Sequence, residues 1–163
     1  MEPFPLAVIV ERLQLHGRWG GERWEAVGVL PDFAARDPGP SVPPQRLFAD
    51  GEREQFRVGG LSLELFRDEA EGYFLNLSSP VPKVFVMLRL EDGFARPVLV
   101  TASYAEGARL IDSGEQVDGV AMPREIADWL GDFVNTYYKP EPRRKMRRND
   151  PFAEPAAESG SPS

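Results

Sequence analysis

Side chains that alternate with a period of two recur along the middle of this chain, and the connections between these runs are short. Leu61, Leu63 and Leu65 share one parity while Ser62 and Glu64 share the other. Tyr73, Leu75 and Leu77 alternate with Phe74 and Asn76; Val84, Val86, Leu88 and Leu90 alternate with Phe85, Met87 and Arg89; Val98, Val100 and Ala102 alternate with Leu99, Thr101 and Ser103. Successive side chains of a strand point to opposite faces, so each run reads as a strand. Leu6–Leu15 and Arg23–Leu30 read as two more, and Glu54–Val58 is a further candidate. Gly59-Gly60 supplies a turn, Asp68–Gly72 a short polar loop, Ser78–Pro82 a proline break, and Glu91-Asp92-Gly93 a hairpin signal. None of these links reaches the dozen residues that a parallel crossover requires. The expectation is an antiparallel meander of six to seven strands, curled into a β-barrel or folded as a sandwich.

The periodicity changes after Ser103. Tyr104–Ser113 reads as a short helix stopped by Gly114. Pro123 suits the first position of a second helix, in which Ile126, Trp129, Leu130, Phe133, Val134 and Tyr137 form one apolar stripe. Such a stripe must cover an open end or face of the β-layer. The fold class is therefore α+β, with two C-terminal helices, the last lying over the sheet. Residues 1–141 form the single domain. The stretch Phe33–Pro44, rich in proline and alanine, reads as an exposed loop within it. Residues 142–163 lack the apolar content to offset chain entropy and read as a disordered tail.

Charge is unevenly shared. Of 19 Lys and Arg residues six lie in Lys139–Ser163, against four of the 26 carboxylates, which leaves 13 cations and 22 carboxylates in the body. An acidic body disfavours a nucleic-acid face, because phosphate binding needs clustered cations. No apolar run approaches the length of a membrane span, and Met1-Glu2-Pro3-Phe4-Pro5 lacks a basic leader region, so a cytoplasmic protein is expected. With no Cys and one His, thiolate chemistry and three-His or His/Cys zinc sites within one chain are excluded. No glycine-rich phosphate loop and no G-x-S-x-G elbow is present. No cofactor, no metal and no catalytic residue is assigned.

The remaining candidates each carry two readings. Trp19 and Trp24 flank Gly20-Gly21-Glu22-Arg23 and either stack a ligand or partner or close one end of the core. Arg67 and Glu115 would join them as walls of a small-molecule site in a barrel mouth. Glu11 faces the core if Ile9, Leu13 and Leu15 do, and then needs Arg12, Arg18 or Arg23 as its cation; a β-bulge near Arg12 would instead turn it outward, with Leu6, Val8 and Val10 inside. Asp112–Gly119 is a polar connector between the two helices that resembles a hard-cation loop in composition only. In the tail, Arg147, Arg148, Asn149, Asp150 and Phe152 follow the basic run that starts at Arg143. They form either a short linear motif with one aromatic anchor or a solubilising end.

Several stretches resemble a bacterial family of domains of unknown function. They are Val8–Arg12, Arg18-Trp19, Trp24–Val29, Arg67–Tyr73, Asn76-Leu77, Pro82–Val86, Val100-Thr101, Tyr104, Glu106, Gly114–Gly119 and Arg147–Phe152. The resemblance implies a gene neighbourhood of formate dehydrogenase and molybdenum-cofactor accessory proteins, and it supplies no catalytic residues to carry over. On that basis the expected function is a non-catalytic accessory or assembly protein for a cytoplasmic molybdenum-dependent formate dehydrogenase, partnered by the dehydrogenase or a maturation factor. The alternative is a small-molecule-binding β-barrel module.

Overall fold

The computed structural model describes residues 1–18, 20–34 and 43–139. Its elements are β1 (Phe4–Gln14), β2 (Glu22–Pro31), β3 (Gln45–Ala49), β4 (Arg53–Leu63), a 3-10 turn (Arg67–Glu69), α1 (Ala70–Leu77), β5 (Lys83–Glu91), β6 (Phe94–Thr101), α2 (Tyr104–Asp112), β7 (Gln116–Ala121) and α3 (Arg124–Tyr137). The strands form two antiparallel sheets, ordered β2-β1-β4-β3 and β6-β5-β7. The expected α+β class and antiparallel pairing hold, and the seven strands fall within the six to seven expected, but the order is not that of a simple meander, since β1 pairs with β4 and β5 with β7. Of the two architectures expected, the sandwich-like one is adopted and the sheets do not join into a closed barrel.

Alternation decides which faces meet. On β1, Phe4, Leu6, Val8 and Val10 point inward; Val84, Val86 and Leu88 of β5 answer them from the other sheet, and all are buried. α1 and α3 pack together and bring Tyr73, Ile126, Leu130 and Phe133 into the same core, while Trp129 meets the Phe4 ring at 5.2 Å. The α3 stripe thus covers the β-layer as its spacing requires, beginning one residue later than expected because Pro123 is the extended cap. α2 lies on the outer face of the second sheet, where Gly107 allows the Phe85 ring to approach: a Cβ there would sit 3.3 Å from it.

Several local expectations are overturned. Tyr73–Leu77 is helical, because Ala70, Tyr73 and Leu77 repeat at helical spacing just as Tyr73, Leu75 and Leu77 repeat at strand spacing. Asp68–Gly72, expected as a loop, supplies the 3-10 turn and the first turn of α1. Gly59-Gly60 does not reverse the chain. It joins the two strands expected around it into one, β4, and forms a bulge opposite Ala7, with Gly60 at φ +85°. Gln116–Ala121 is strand β7 where a helix connector was expected, and β3 falls where no strand was expected.

Glu11 combines parts of both readings. Leu6, Val8 and Val10 are inside, so Glu11 lies on the outer face, yet no bulge near Arg12 puts it there; the register shifts are at Val27 and at Gly59-Gly60. Glu11 is nonetheless only 8% exposed, since the Gln55 amide donates to its Oε2 at 2.9 Å and Arg53 Nε lies 3.3 Å away. The cation is Arg53 of the neighbouring strand, not Arg12, Arg18 or Arg23. Arg12 itself binds Glu54, with Nε donating to Oε1 at 2.6 Å, an interaction that holds its guanidinium above its ordinary pKa. Glu11→Gln should cost about 1–2 kcal/mol in urea unfolding, the scale of one charge-assisted bond between a buried carboxylate and a half-exposed guanidinium. An unchanged midpoint would mean that the Gln55–Glu11–Arg53 contacts contribute nothing to stability.

Candidate functional site

Two polar clusters lie between elements. In the first, Ser103 caps α2: its Oγ accepts from the Glu106 backbone N–H at 3.1 Å and donates to Glu69 Oε1 at 2.6 Å. Arg109 closes the other carboxylate oxygen of Glu69 at 2.7 Å. The Ser103 hydroxyl, with Arg109, holds Glu69 below the usual carboxylate pKa range. Thr101 Oγ1 accepts from Ser103 N–H and donates to Glu106 Oε1 at 2.6 Å, so the expected reciprocal bond of a capping box runs through a threonine. Gly72 must be glycine here, because a Cβ would lie 2.4 Å from Ser103 Oγ.

Below it, Asn76 is fully buried and joins α1 to the sheet through Lys83 and Ala102. Tyr73 is also buried, and its hydroxyl accepts from the Phe66 N–H at 2.9 Å. Burial pushes the Tyr73 pKa up to about 12, against a smaller opposing pull from the Phe66 bond. A tyrosine in the unfolded chain ionises near pH 10, so above that pH the unfolded state sheds a proton the native state keeps. The stability linked to Tyr73 is intact below pH 10 and falls as pH rises towards 12, by up to about 3 kcal/mol. Urea unfolding at both ends of that window should show the extra loss in the native sequence and its absence in Tyr73→Phe.

The second cluster ties the two sheets at their edges. Asp118 and Gln116 of β7 reach across to β2, accepting from Ala26 N–H at 2.9 Å and donating to Trp24 O at 2.8 Å. These are side-chain substitutes for a strand pairing, made where Val27 bulges out of register. Every polar side chain in both clusters is engaged by the fold itself.

An open groove is the other feature. β3 pairs with β4 only between Glu54 and Arg57, and β6 pairs only with β5, so among the described residues the Val58–Leu63 edge of β4 faces the unpaired edge of β6. Three adjoining depressions follow that edge and share Gly60 and Leu61 as their floor. The largest, about 820 Å³, lies at the end where Phe4, Phe33 and Trp129 converge, with ring centroids 5.0 and 5.2 Å apart and with Glu2 and Glu64 on its rim. The middle one, about 380 Å³, runs past Val98–Val100 and Glu106, and the third, about 370 Å³, ends at Arg96 and Glu91. Gly60 adds no side chain to that floor, whereas the space beside Gly59 is taken by the Asp32 and Arg57 side chains. Glu2 and Glu64 have no cationic partner among the described residues.

The expected site residues do not gather. Trp24 packs with Phe56 and Phe94 as a core aromatic at 6.1 and 4.9 Å. Glu115 pairs with Arg89 at 3.1 Å. Arg67 sits over the Tyr137 ring at 4.3 Å. Trp19 and the tail residues Arg147, Arg148, Asn149, Asp150 and Phe152 lie outside the described residues, as do most of the Phe33–Pro44 loop and the 142–163 tail. Among the described residues no group of three or more His, Asp or Glu side chains converges to hold a metal, and no helix is long and apolar enough to cross a membrane. The groove was not legible, since Phe4, Phe33, Leu61 and Trp129 are far apart in sequence. The Ser103 cluster did leave a signal, the Ser-x-x-Glu spacing at Ser103–Glu106.

A family model described as "Protein of unknown function (DUF3305)" matches residues 5–147. Neither a curated protein nor a solved structure matches the chain.

Proposed function

We propose, from the premise that this chain belongs to the DUF3305 family of proteins of unknown function, that it is a non-catalytic accessory protein which holds an extended segment of a partner in the β4 groove. The observation that carries this reading is the groove itself: a strand edge unpaired among the described residues and floored by Gly60 and Leu61, with an aromatic pocket at one end and, on its rim, carboxylates that have no cation among those residues. Aromatic pockets of this kind seat anchor side chains, and strand edges supply backbone hydrogen bonds to an extended peptide. The acidic rim selects a basic segment.

The partner named by the resemblance is a cytoplasmic molybdenum-dependent formate dehydrogenase or one of its maturation factors, whose assembly, cofactor loading or stability the chain would aid. A tagged full-length copy should recover one of these proteins from cells grown on formate. Phe33→Ala combined with Glu64→Lys should lower recovery about tenfold, since both alter exposed groove residues at its anchoring end. If neither protein is recovered and a deletion strain keeps normal formate dehydrogenase activity, the proposal fails.

The aromatic end also favours a second reading, a small-molecule site, because about 820 Å³ falls within the range of ligand pockets. Native mass spectrometry of the purified chain would show a retained small ligand in that case. The barrel-mouth version of this reading does not apply to a sandwich.

A further inference from the structure

We infer that in the free protein the β4 groove is occupied by the chain's own C-terminal segment, Arg143–Phe152, which a partner segment of the same chemistry displaces. The inference rests on the reading of the groove as a peptide site and names its resident occupant.

Charge complementarity is the first argument. The rim carboxylates Glu2 and Glu64 lack cations among the described residues, and so do Asp128 and Asp132, which flank Trp129 on the exposed side of α3. An acidic track therefore leads from the last turns of α3 to the aromatic end of the groove. The segment Arg143-Arg144-Lys145-Met146-Arg147-Arg148 carries five cations in six positions, and Phe152 follows four residues on. Its order of charges and aromatic residue matches the track, with cations along α3 and the ring among Phe4, Phe33 and Trp129.

Reach is the second argument. Trp129 lies about two helical turns, roughly 12 Å, before the end of α3. Lys139 to Phe152 spans up to about 43 Å when extended, which is ample for the chain to double back along the helix. A tether of this length keeps the segment at an effective concentration near the millimolar range, so modest contacts suffice to fill the groove.

The chain has no cysteine, which makes a crosslinking test clean. Full-length Ser62→Cys/Asn149→Cys, oxidised at low protein concentration, should form a disulfide at monomer mass about tenfold faster than the control pair Asp112→Cys/Asn149→Cys. Asp112 is exposed at the end of α2, and its substitution leaves the groove intact. Raising the salt concentration, or adding Phe152→Ala with charge reversal at Arg147 and Arg148, should bring the two rates together. Equal rates in the two pairs from the start would overturn the inference. A product at dimer mass would also overturn it, by showing that the segment fills the groove of a second copy. The partner-capture experiment separates this failure from that of the proposed function: loss of capture by Phe33→Ala/Glu64→Lys would stand even if the crosslink did not form.

Discussion

Asn76→Ala should lower the unfolding free energy by about 3–5 kcal/mol, the largest loss expected from any single polar residue in the described structure. Asn76 sits in the last turn of α1 with no exposed surface. Its Nδ2 donates to Lys83 O at 2.7 Å and to Ala102 O at 2.8 Å, and its Oδ1 accepts from Lys83 N–H at 2.9 Å. One side chain thus satisfies three backbone groups, at the start of β5 and just past the end of β6. Removing it orphans all three, the Ala102 carbonyl in a buried place and the two Lys83 groups in a partly covered one, and each buried orphan costs about 1–3 kcal/mol. Asn135, exposed on α3, is the control: its replacement by Ala should change stability by less than about 0.5 kcal/mol. Urea unfolding of both variants measures the difference. A loss under about 1 kcal/mol at Asn76 would show that the α1–sheet junction rearranges to supply other partners.

The same residue shows what the sequence could not reveal. The alternation of Tyr73, Leu75 and Leu77 with Phe74 and Asn76 predicts a strand there, whereas Asn76 lies in α1. Over eight residues with apolar side chains on every side, periods of 2 and 3.6 fit equally well. The long runs had no such ambiguity: β1, β2, β5 and β6 were all legible, and α3 was fixed by six positions spread over three turns. β7 was hidden for a different reason. Its inward positions Gln116 and Asp118 are polar because they hydrogen-bond the β2 backbone, so the alternation that would have marked a strand is erased by the job those side chains do. β3 is exposed along its whole length and leaves no pattern at all. The stretches that carry the family resemblance fall heavily on these junctions, at Glu69, Gly72, Asn76, Thr101, Glu106, Gln116 and Asp118. Each of these residues is used by the fold itself, in a helix cap, a close approach or a hydrogen bond between elements.

Leu130→Ala should cost about 2–5 kcal/mol, while Trp129→Ala, at the adjacent position, should cost less despite deleting the larger side chain. The stripe of α3 makes no distinction between them in sequence, and a fully covered Trp would be the more expensive loss. In the structure Leu130 has no exposed surface and lies in the core shared by both sheets and α1. Trp129 is half-buried, packed on Phe4 on one side and open to the groove on the other. Truncating Leu130 leaves a cavity that close-packed neighbours cannot collapse, so transfer and cavity costs add. Truncating Trp129 forfeits one face of contact and widens a groove that is already open to solvent. Thermal or urea unfolding of the two variants should therefore rank Leu130→Ala as the less stable, and only Trp129→Ala should weaken capture of a partner while the fold is retained. If Trp129→Ala proved the more destabilising, Trp129 would belong to the core and the aromatic end of the groove would be a packing defect, which would remove the main support for a peptide anchored there.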